Sequence, residues 1–242
     1  MSAFQRSRLR ITSSRWIVFL MAFLITSLAG YATESRAADG TYRQKTRHYD
    51  VETDVSERFT KLVSQHMEEI YAEYRRRFRE YELRTHDRFD VKVFEHRRDY
   101  ERVVPDDLAG STGAFVSDQK LLAACRDDQT SERVFQTLYH EGFHQFLFSN
   151  IRADVPLWVN EGFAEYFSES VWNGQRFVTG NVPAWRLRVL REAARRDELL
   201  PFSQLFKMEA QTWLGNVRKN QASVQYSQAW SVIHFLCHAQ GG

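Results

Sequence analysis

The sequence has few of the residues that interrupt or cross-link a protein chain. Only four prolines occur among 242 residues, at positions 105, 156, 183 and 201, and each marks a boundary between elements. After residue 40 there is no repeat, no low-complexity tract and no linker rich in proline and glycine. The sequence therefore predicts one domain over 40–242, which is long enough to bury a sizeable core.

Cysteine is equally scarce, since Cys125 and Cys237 are the only two. In an exported protein they could form a disulfide, which would close a long loop and contribute up to roughly 4–5 kcal/mol. The alternative is a pair of buried free thiols. Two cysteines carry no spacing pattern that would decide between these interpretations.

Beyond the N-terminal segment, neither basic nor acidic side chains are in clear excess. Residues 1–37 hold five arginines and one glutamate, so 28 of the 33 basic and 30 of the 31 acidic side chains lie beyond them. A chain this close to neutral gives no reason to expect a nucleic-acid partner. The composition, 43% hydrophobic and 26% charged, excludes a disordered or collagen-like chain.

The most apolar stretch is WIVFLMAFLITSLAG, 15 residues long, which follows four arginines near the N-terminus. Small residues suited to cleavage come next, near Ala37 or Ala38. This order predicts a secretory signal peptide over 1–37 and an extracytoplasmic protein, secreted or periplasmic. The alternative is an uncleaved N-terminal anchor, because the stretch is only slightly shorter than the roughly 20 residues of a membrane span. We expect contact with a membrane only in that case.

Periodicity predicts strands in the first half of the chain and helices in the second. The predicted strands cover 48–55 and 88–95, with a hairpin or edge strand over 110–125; the predicted helices cover 56–78, a short charged stretch after 95, 130–150, 156–170, 184–200, 202–208 and 226–238. Ser131 is the expected cap of the helix over 130–150, and Pro156 is expected to open the next. Strands early and helices late are typical of the α+β class.

One predicted helix, TLYHEGFHQFLFSN over 137–150, places three polar side chains among aromatic and aliphatic ones. His140 and His144 are one turn apart and about 40° from each other around the axis, so two imidazole nitrogens can lie about 2 Å from one zinc ion. Glu141 is turned about 100° away. There it can act as general base on a water whose pKa the metal lowers. The alternative is two half-buried histidines bonded to carbonyls.

A catalytic zinc ion takes three protein ligands and keeps one position open. Glu161, the predicted third ligand, lies 17 residues after His144 on the next helix, beyond a loop long enough to reverse the chain. Glu165, four residues later on the same face, is expected to accept the free N–H of a ligand histidine. Acids on the inner face of an aromatic helix are costly unless a cation compensates them. The sequence therefore predicts a site for one Zn²⁺ ion.

HEGFH followed by WVNEGFAEY resembles the gluzincin metallopeptidases, in which aminopeptidase N-like enzymes carry H-E-x-x-H and then W-L-N-E-G-F-A. The sequence as a whole, with YSQAWSVIHFL near its end, more closely resembles the peptidase MA-like domains of exported bacterial proteins, which are relatives of the thermolysin-like zincins. The resemblance covers 137–168 and extends to 110–125 and 226–236. It implies a zincin-like fold in which the two histidines and Glu161 hold zinc and Glu141 is the base. The ligand spacing is one or two residues shorter than in the aminopeptidases.

GAFVS precedes the first motif histidine by 27 residues, about where aminopeptidases carry a G-A-M-E-N strand. In those enzymes the strand binds the substrate backbone and its glutamate holds the free amino terminus. The resemblance therefore implies that Gly113, Ala114 and Phe115 form a substrate-backbone strand over the cleft. Val116 stands in place of the amine-holding acid, so aminopeptidase specificity is not expected. An ordinary edge strand after a glycine turn is the alternative.

Hydrolysis of a carbonyl also requires a donor for the oxyanion that forms. Related zincins use a downstream Tyr or His, so Tyr226 is the first candidate and His234 the second. For each, packing in the core is the alternative. His234 and His238 also stand four apart, but no acid follows His234 and no third ligand is evident. We therefore expect no second metal site there.

Three functions remain open from the sequence. The first is an exported zinc metallopeptidase that hydrolyses peptide or protein substrates. The second is a catalytically retired, zinc-stabilised binding or scaffold domain at the cell envelope, and the third is a zinc hydrolase for another amide, for example in the cell wall. The chain stops soon after its last predicted helix, at HAQGG, so truncation at the C-terminus, with a further domain missing, stays open.

Overall fold

The protein folds into a mixed β-sheet followed by a largely helical half. The computed structural model describes residues 35–36, 40–83, 88–151, 154–219 and 221–239. The strands are β1 (Ser35–Arg36), β2 (Tyr42–Lys45), β3 (Tyr49–Thr53), β4 (Phe89–Phe94), β5 (Gly113–Val116), β6 (Leu121–Cys125), β7 (Val171–Trp172) and β8 (Phe177–Val178). The helices are α1 (Glu57–Arg77), α2 (Arg97–Glu101), α3 (Ser131–Asn150), α4 (Leu157–Ser168), α5 (Ala184–Arg195), α6 (Phe202–Leu205), α7 (Ala210–Arg218) and α8 (Ser223–His238).

The main sheet has the strand order β1-β2-β3-β4-β6-β5, with β5 at one edge. β4 is parallel to both β3 and β6, and the other neighbours are antiparallel. Helix α1 supplies the crossover between β3 and β4, as a parallel pair requires. β7 and β8 form a separate two-stranded hairpin.

Burial along the strands follows their place in the sheet. In β3, Tyr49, Val51 and Thr53 are buried and alternate with half-buried residues, which is typical of a strand with one face on the core. All five residues of β6 are buried, so this strand is covered on both faces. α1 and α3 cover one face of the sheet, and their aromatic and aliphatic side chains form the largest core cluster with strands β3, β4 and β6.

Local signals explain where the long helices begin. The Ser56 hydroxyl accepts the Phe59 N–H and caps α1, while three arginines in its last turn complement the helix dipole. The Thr130 hydroxyl accepts the Arg133 N–H and caps α3. The prediction that Ser131 is this cap was therefore wrong by one residue: Thr130 has the extended backbone that a cap requires. Pro156 directly precedes α4, in agreement with the prediction.

Helix α4 joins the later helices to α3, which packs on the sheet. α4 packs between α3 and α8, and its closest approach to α8 is at Gly162. A Cβ atom at Gly162 would lie 2.7 Å from Ile233 Cγ1 and 2.8 Å from the Ala229 carbonyl oxygen. Only a residue without a side chain permits this approach.

The α+β class predicted from the sequence is confirmed, with the sheet first and the helices after it. The strands over 48–55 and 88–95, the hairpin over 110–125 and the helix over 56–78 are present. Sequence reasoning missed β2, the β7–β8 hairpin and α7. Cys125 is buried and Cys237 half-buried, and both are free thiols, as in the second alternative.

The predicted signal peptide lies outside the described residues apart from β1, whose two residues pair with β2. Among the described residues, no helix combines the length and the apolar character that crossing a bilayer requires.

Replacement of Gly162 by alanine should destabilise the protein by about 1–3 kcal/mol, because the added methyl group overpacks the contact between α4 and α8. Gly215 in α7 is the matched control, since a Cβ there meets nothing within 4 Å. Its alanine variant should gain up to about 1 kcal/mol from helix propensity. Chemical denaturation of both variants measures the difference, and equal effects of the two substitutions would contradict the close packing.

Candidate metal centre

Helix α3 places the two motif histidines side by side. His140 and His144 are separated by one turn, and their Nε2 atoms lie 3.1 Å apart. Both side chains are largely buried, with 18% and 15% of their surface exposed. Two histidines on one face of a helix thus direct the same ring nitrogen to one point, as the spacing predicts.

Helix α4 contributes a carboxylate to the same point. Glu161 Oε2 lies 3.6 Å from His140 Nε2 and 3.7 Å from His144 Nε2. Helices α3 and α4 pack directly against each other, with His144 beside Asn160 and His140 beside Glu165. The three residues predicted as ligands are therefore brought together.

The three donor atoms fit a zinc ion. Within the triangle of 3.1, 3.6 and 3.7 Å there is a point about 2.0 Å from all three atoms, which is the length of a zinc–nitrogen or zinc–carboxylate bond. Glu161 Oε2 is buried and has no hydrogen-bond partner. A buried, unpaired carboxylate oxygen is costly, and a cation at this point would satisfy it. Among the described residues, this is the one group of three such side chains that could hold a metal.

Acceptors beside the other ring nitrogens orient the histidines. Asn160 Oδ1 lies 2.8 Å from His144 Nδ1, and Glu165 Oε1 lies 3.4 Å from His140 Nδ1. Both contacts favour the tautomer that carries its proton on Nδ1, which leaves the Nε2 lone pair for a metal. The predicted position of Glu165 beside a ligand histidine agrees with this geometry. Asn160 was missed, although it stands within the WVNEG stretch, directly before Glu161.

A buried arginine holds Glu165 in place. The Arg186 guanidinium, on α5, forms ion pairs with Glu165 and, at 2.9 Å, with Glu169. Its side chain is only 3% exposed and packs on the Trp185 ring. Arg186 therefore fixes the carboxylate that in turn orients His140. No sequence signal identified it, because it lies on a separate helix far from the motif.

Glu141 lies against the edge strand of the sheet. Its Oε2 atom accepts a hydrogen bond of 2.9 Å from the Phe115 backbone N–H. The Cys125 N–H donates to the Thr112 carbonyl, so Thr112 directs its backbone groups at β6. In an antiparallel pair this direction alternates along the strand. The backbone N–H and C=O groups of Gly113 and Phe115 therefore point away from β6, at the open edge of the sheet. A side chain at Gly113 would overlap Thr137 on α3, so glycine is what lets the strand come this close.

A cleft of about 440 Å³ opens beside the three donor atoms. It is lined by Phe115, Ser117, Glu141, His144, Leu147, Phe148, Ile151, Val155, Asn160 and Glu161. The candidate base, two candidate ligands and one residue of the predicted substrate strand therefore face a single space. This is large enough for a segment of peptide, within the usual size of ligand sites.

The two candidates for the oxyanion donor have different surroundings. Tyr226 lies in the first turn of α8, half-buried, with its ring edge-on to Trp213 at 5.0 Å. Burial and the nearby carboxylate of Glu161 raise its pKa well above the usual value, so the phenol keeps its proton and can donate it. His234 Nε2 is engaged with the Gly180 carbonyl oxygen at 3.0 Å. The role assigned to Tyr226 stays a prediction.

The second histidine pair has other partners. His238 Nε2 lies 2.9 Å from the Tyr166 hydroxyl, and that hydroxyl also accepts a hydrogen bond from Arg77. With His234 bonded to a backbone carbonyl, the pair is engaged with neutral groups. No carboxylate or thiolate of the described residues joins it in a metal-binding group.

Charge within the centre is coupled to protonation. Burial lowers the pKa of His140, but the nearby carboxylates of Glu161 and Glu165 outweigh it and raise the pKa to about 9. Burial also raises the pKa of Glu161, yet the two imidazoles lower it further, to below its ordinary value. In the metal-free protein a proton on His140 thus supplies the positive charge that the carboxylates require.

Comparison with known proteins adds one match. A family model described as a protein of unknown function (DUF1570) matches residues 134–241. The matched region contains His140, His144, the α4 carboxylates, the β7–β8 hairpin and all later helices, and excludes the main sheet. No curated protein matches the chain.

The metal-free protein should lose stability as pH rises from 6.5 to about 9. The pKa of His140 is raised from 6.5 in the unfolded chain to about 9 in the folded one, so its contribution is complete below pH 6.5 and lost through the interval. Added zinc must displace that proton, so its stabilising effect should grow with pH over the same range. Thermal unfolding with chelator and with zinc measures both slopes; a metal-free midpoint that rises with pH would contradict the assignment.

Zinc affinity should depend on two consecutive residues of α4, Asn160 and Glu161. Glu161→Gln should lower it by more than about 100-fold, and Asn160→Ala by about 10–100-fold, because the amide orients a ligand histidine. His238→Ala serves as the control and should bind zinc like the unmodified protein. Competition with a zinc-sensitive chelating dye measures all three affinities. Equal affinities for the Glu161 variant and the control would exclude the site.

Proposed function

We propose that this chain is an exported zinc-dependent metallopeptidase of the gluzincin type. The observation that carries the proposal is the convergence of His140, His144 and Glu161 donor atoms within bonding distance of one point. A general base on the same helical turn, Glu141, faces the same cleft. A site that only stabilised the fold would have no use for that base or for an open cleft.

The bound metal would supply the electrophile in this reaction. A zinc ion held by two imidazoles and a carboxylate lowers the pKa of a water and polarises a carbonyl oxygen. The buried acids Glu161 and Glu165 make this pocket negative, and Asn160 and Glu165 fix the ligand rings. The two histidines and Glu161 would hold the ion, and Asn160 and Glu165 would keep the imidazole rings in place.

Glu141 acts as general base and then as general acid. Its carboxylate takes a proton from the attacking water and passes it to the nitrogen of the departing amine. The hydrogen bond from the Phe115 N–H fixes this carboxylate at the wall of the cleft. Phe115 thus connects Glu141 to β5, the strand proposed to receive the substrate. The base and the strand are therefore aligned before the substrate binds.

The edge strand β5 aligns the peptide. The outward carbonyl groups of Gly113 and Phe115 can accept hydrogen bonds from an extended substrate, as at a free sheet edge, while the Phe115 N–H stays bonded to Glu141. The protonated phenol of Tyr226 is the proposed donor to the oxyanion that develops on the carbonyl. Val116 stands in place of an amine-holding acid, so cleavage within a chain is favoured over removal of its first residue.

Export rests on the sequence alone. The arginines before the apolar stretch of 15 residues, and the small residues after it, are the features that support a secreted or periplasmic location. An enzyme at this location would meet peptides and proteins of the cell envelope or the surroundings as substrates.

A catalytically retired, zinc-stabilised binding domain is the alternative. The observation in its favour is Val116, which removes the group that aminopeptidases use to grip a substrate terminus. Digestion of a broad peptide library, with and without chelator, distinguishes the two functions. Cleavage that zinc restores after chelation supports the peptidase, and a library left intact under every condition supports the binding domain.

Glu141→Gln should keep zinc bound and lower peptide hydrolysis by at least about 100-fold, because glutamine cannot accept the proton. The matched control is Glu192→Gln, which makes the same change at an exposed position on α5. Turnover and zinc content are measured on both variants. Undiminished turnover in the Glu141 variant would remove this mechanism.

A further inference from the structure

A second cavity, of about 380 Å³, lies beside the cleft and is largely apolar. Leu147, Ile151, Val155 and Asn160 line both spaces, so the two are adjacent. The proposed reaction assigns no task to this second space. We refer to it as the apolar cavity.

Three aromatic rings form the inner wall of the apolar cavity. Phe78, Phe143 and Phe163 are in mutual contact, with ring centroids 5.1–5.7 Å apart. Arg77 and Asp154, of opposite charge, also line the cavity. A cavity with this composition selects for shape and apolar surface rather than for charge, and its volume accommodates an aromatic side chain.

The direction of β5 relates the apolar cavity to the scissile bond. The strand starts with Gly113 against Thr137 on α3, and Phe115 then contacts Glu141 and the Phe148 ring. Strand β5 and helix α3 therefore run in the same direction. The apolar cavity is lined by Leu147 and Ile151, so it lies beyond the histidines, towards the C-terminal ends of both elements. A peptide that pairs antiparallel with β5, the commoner arrangement, begins at the cavity end. The residues before its scissile bond lie on the cavity side.

We infer, on the basis of the proposed function, that the apolar cavity binds a bulky apolar side chain, aromatic or branched aliphatic, on the amino side of the scissile bond. The class of substrate is thus an extended peptide with such a residue just before the point of cleavage. Val159, on α4, lines the cavity but not the cleft. It therefore allows the cavity to be filled without a change to the proposed ligands or base.

The test uses the zinc-loaded protein and a library of blocked peptides, and cleavage positions are read by mass spectrometry. Aromatic and branched aliphatic residues should be enriched over alanine by at least about tenfold on the amino side of the cut. Val159→Trp, which fills the cavity, should abolish that enrichment while other sequences are still cut. Val217→Trp is the control, since Val217 is exposed on α7 and lines neither space. Cleavage without the enrichment, or enrichment unchanged by Val159→Trp, overturns the inference and leaves the peptidase standing.

A binding measurement separates the two proposals if no peptide is cut. N-acetyl-L-phenylalaninamide should shift NMR resonances of the zinc-loaded protein, and the alanine analogue should not at the same concentration. Val159→Trp should weaken this binding at least about tenfold, and the Val217→Trp control should bind the probe like the unmodified protein. Failure of the unmodified protein to bind the probe, or binding by Val159→Trp equal to that of the unmodified protein, overturns the cavity assignment whatever the outcome of the digest.

Discussion

The structure around the site depends on one electrostatic constraint, the burial of the Glu161 carboxylate between two imidazoles. A carboxylate with an unpaired oxygen in such surroundings costs several kcal/mol unless a positive charge meets it. A proton on His140 meets that need in the metal-free protein, and a divalent ion would meet it better. The spacing of the three donor atoms and the choice of ring nitrogen both follow from this requirement.

The packing of helices keeps that arrangement in place. Gly162 allows α4 to lie against α8, and Glu161 precedes it by one residue, so helix position and ligand position are set together. Arg186 reaches from α5 to Glu165, which faces His140. The chain thus orients its candidate ligands through contacts between four helices, α3, α4, α5 and α8. The sheet adds a separate part, the edge strand β5 that meets Glu141.

Sequence reasoning predicted those parts of the fold and the site that leave a local pattern. The alternation of β3, the helical spacing of α1 and the pair His140 and His144 are all set within a few residues, and the structure places them as expected. The long-range partner Glu161 was found because it lies on an acid-bearing aromatic helix one loop later, in a segment that resembles a known family.

The elements that were missed have weak or distant signals. β2 is half exposed and polar, so it lacks the apolar alternation of a strand. α7 is short and only Trp213 is buried in it. Arg186 gains its role from a contact with a residue 21 positions earlier, and nothing in its own neighbourhood marks it. Thr130 and Ser131 are both good caps, and only the backbone conformation decides between them.

An X-ray absorption spectrum at the zinc edge of the purified protein tests the central claim most directly. The account predicts one zinc per chain in a shell of nitrogen and oxygen ligands at about 2.0–2.1 Å, with the outer-shell scattering of two imidazoles. A protein that retains no zinc, or a spectrum dominated by sulfur ligands at about 2.3 Å, would contradict it.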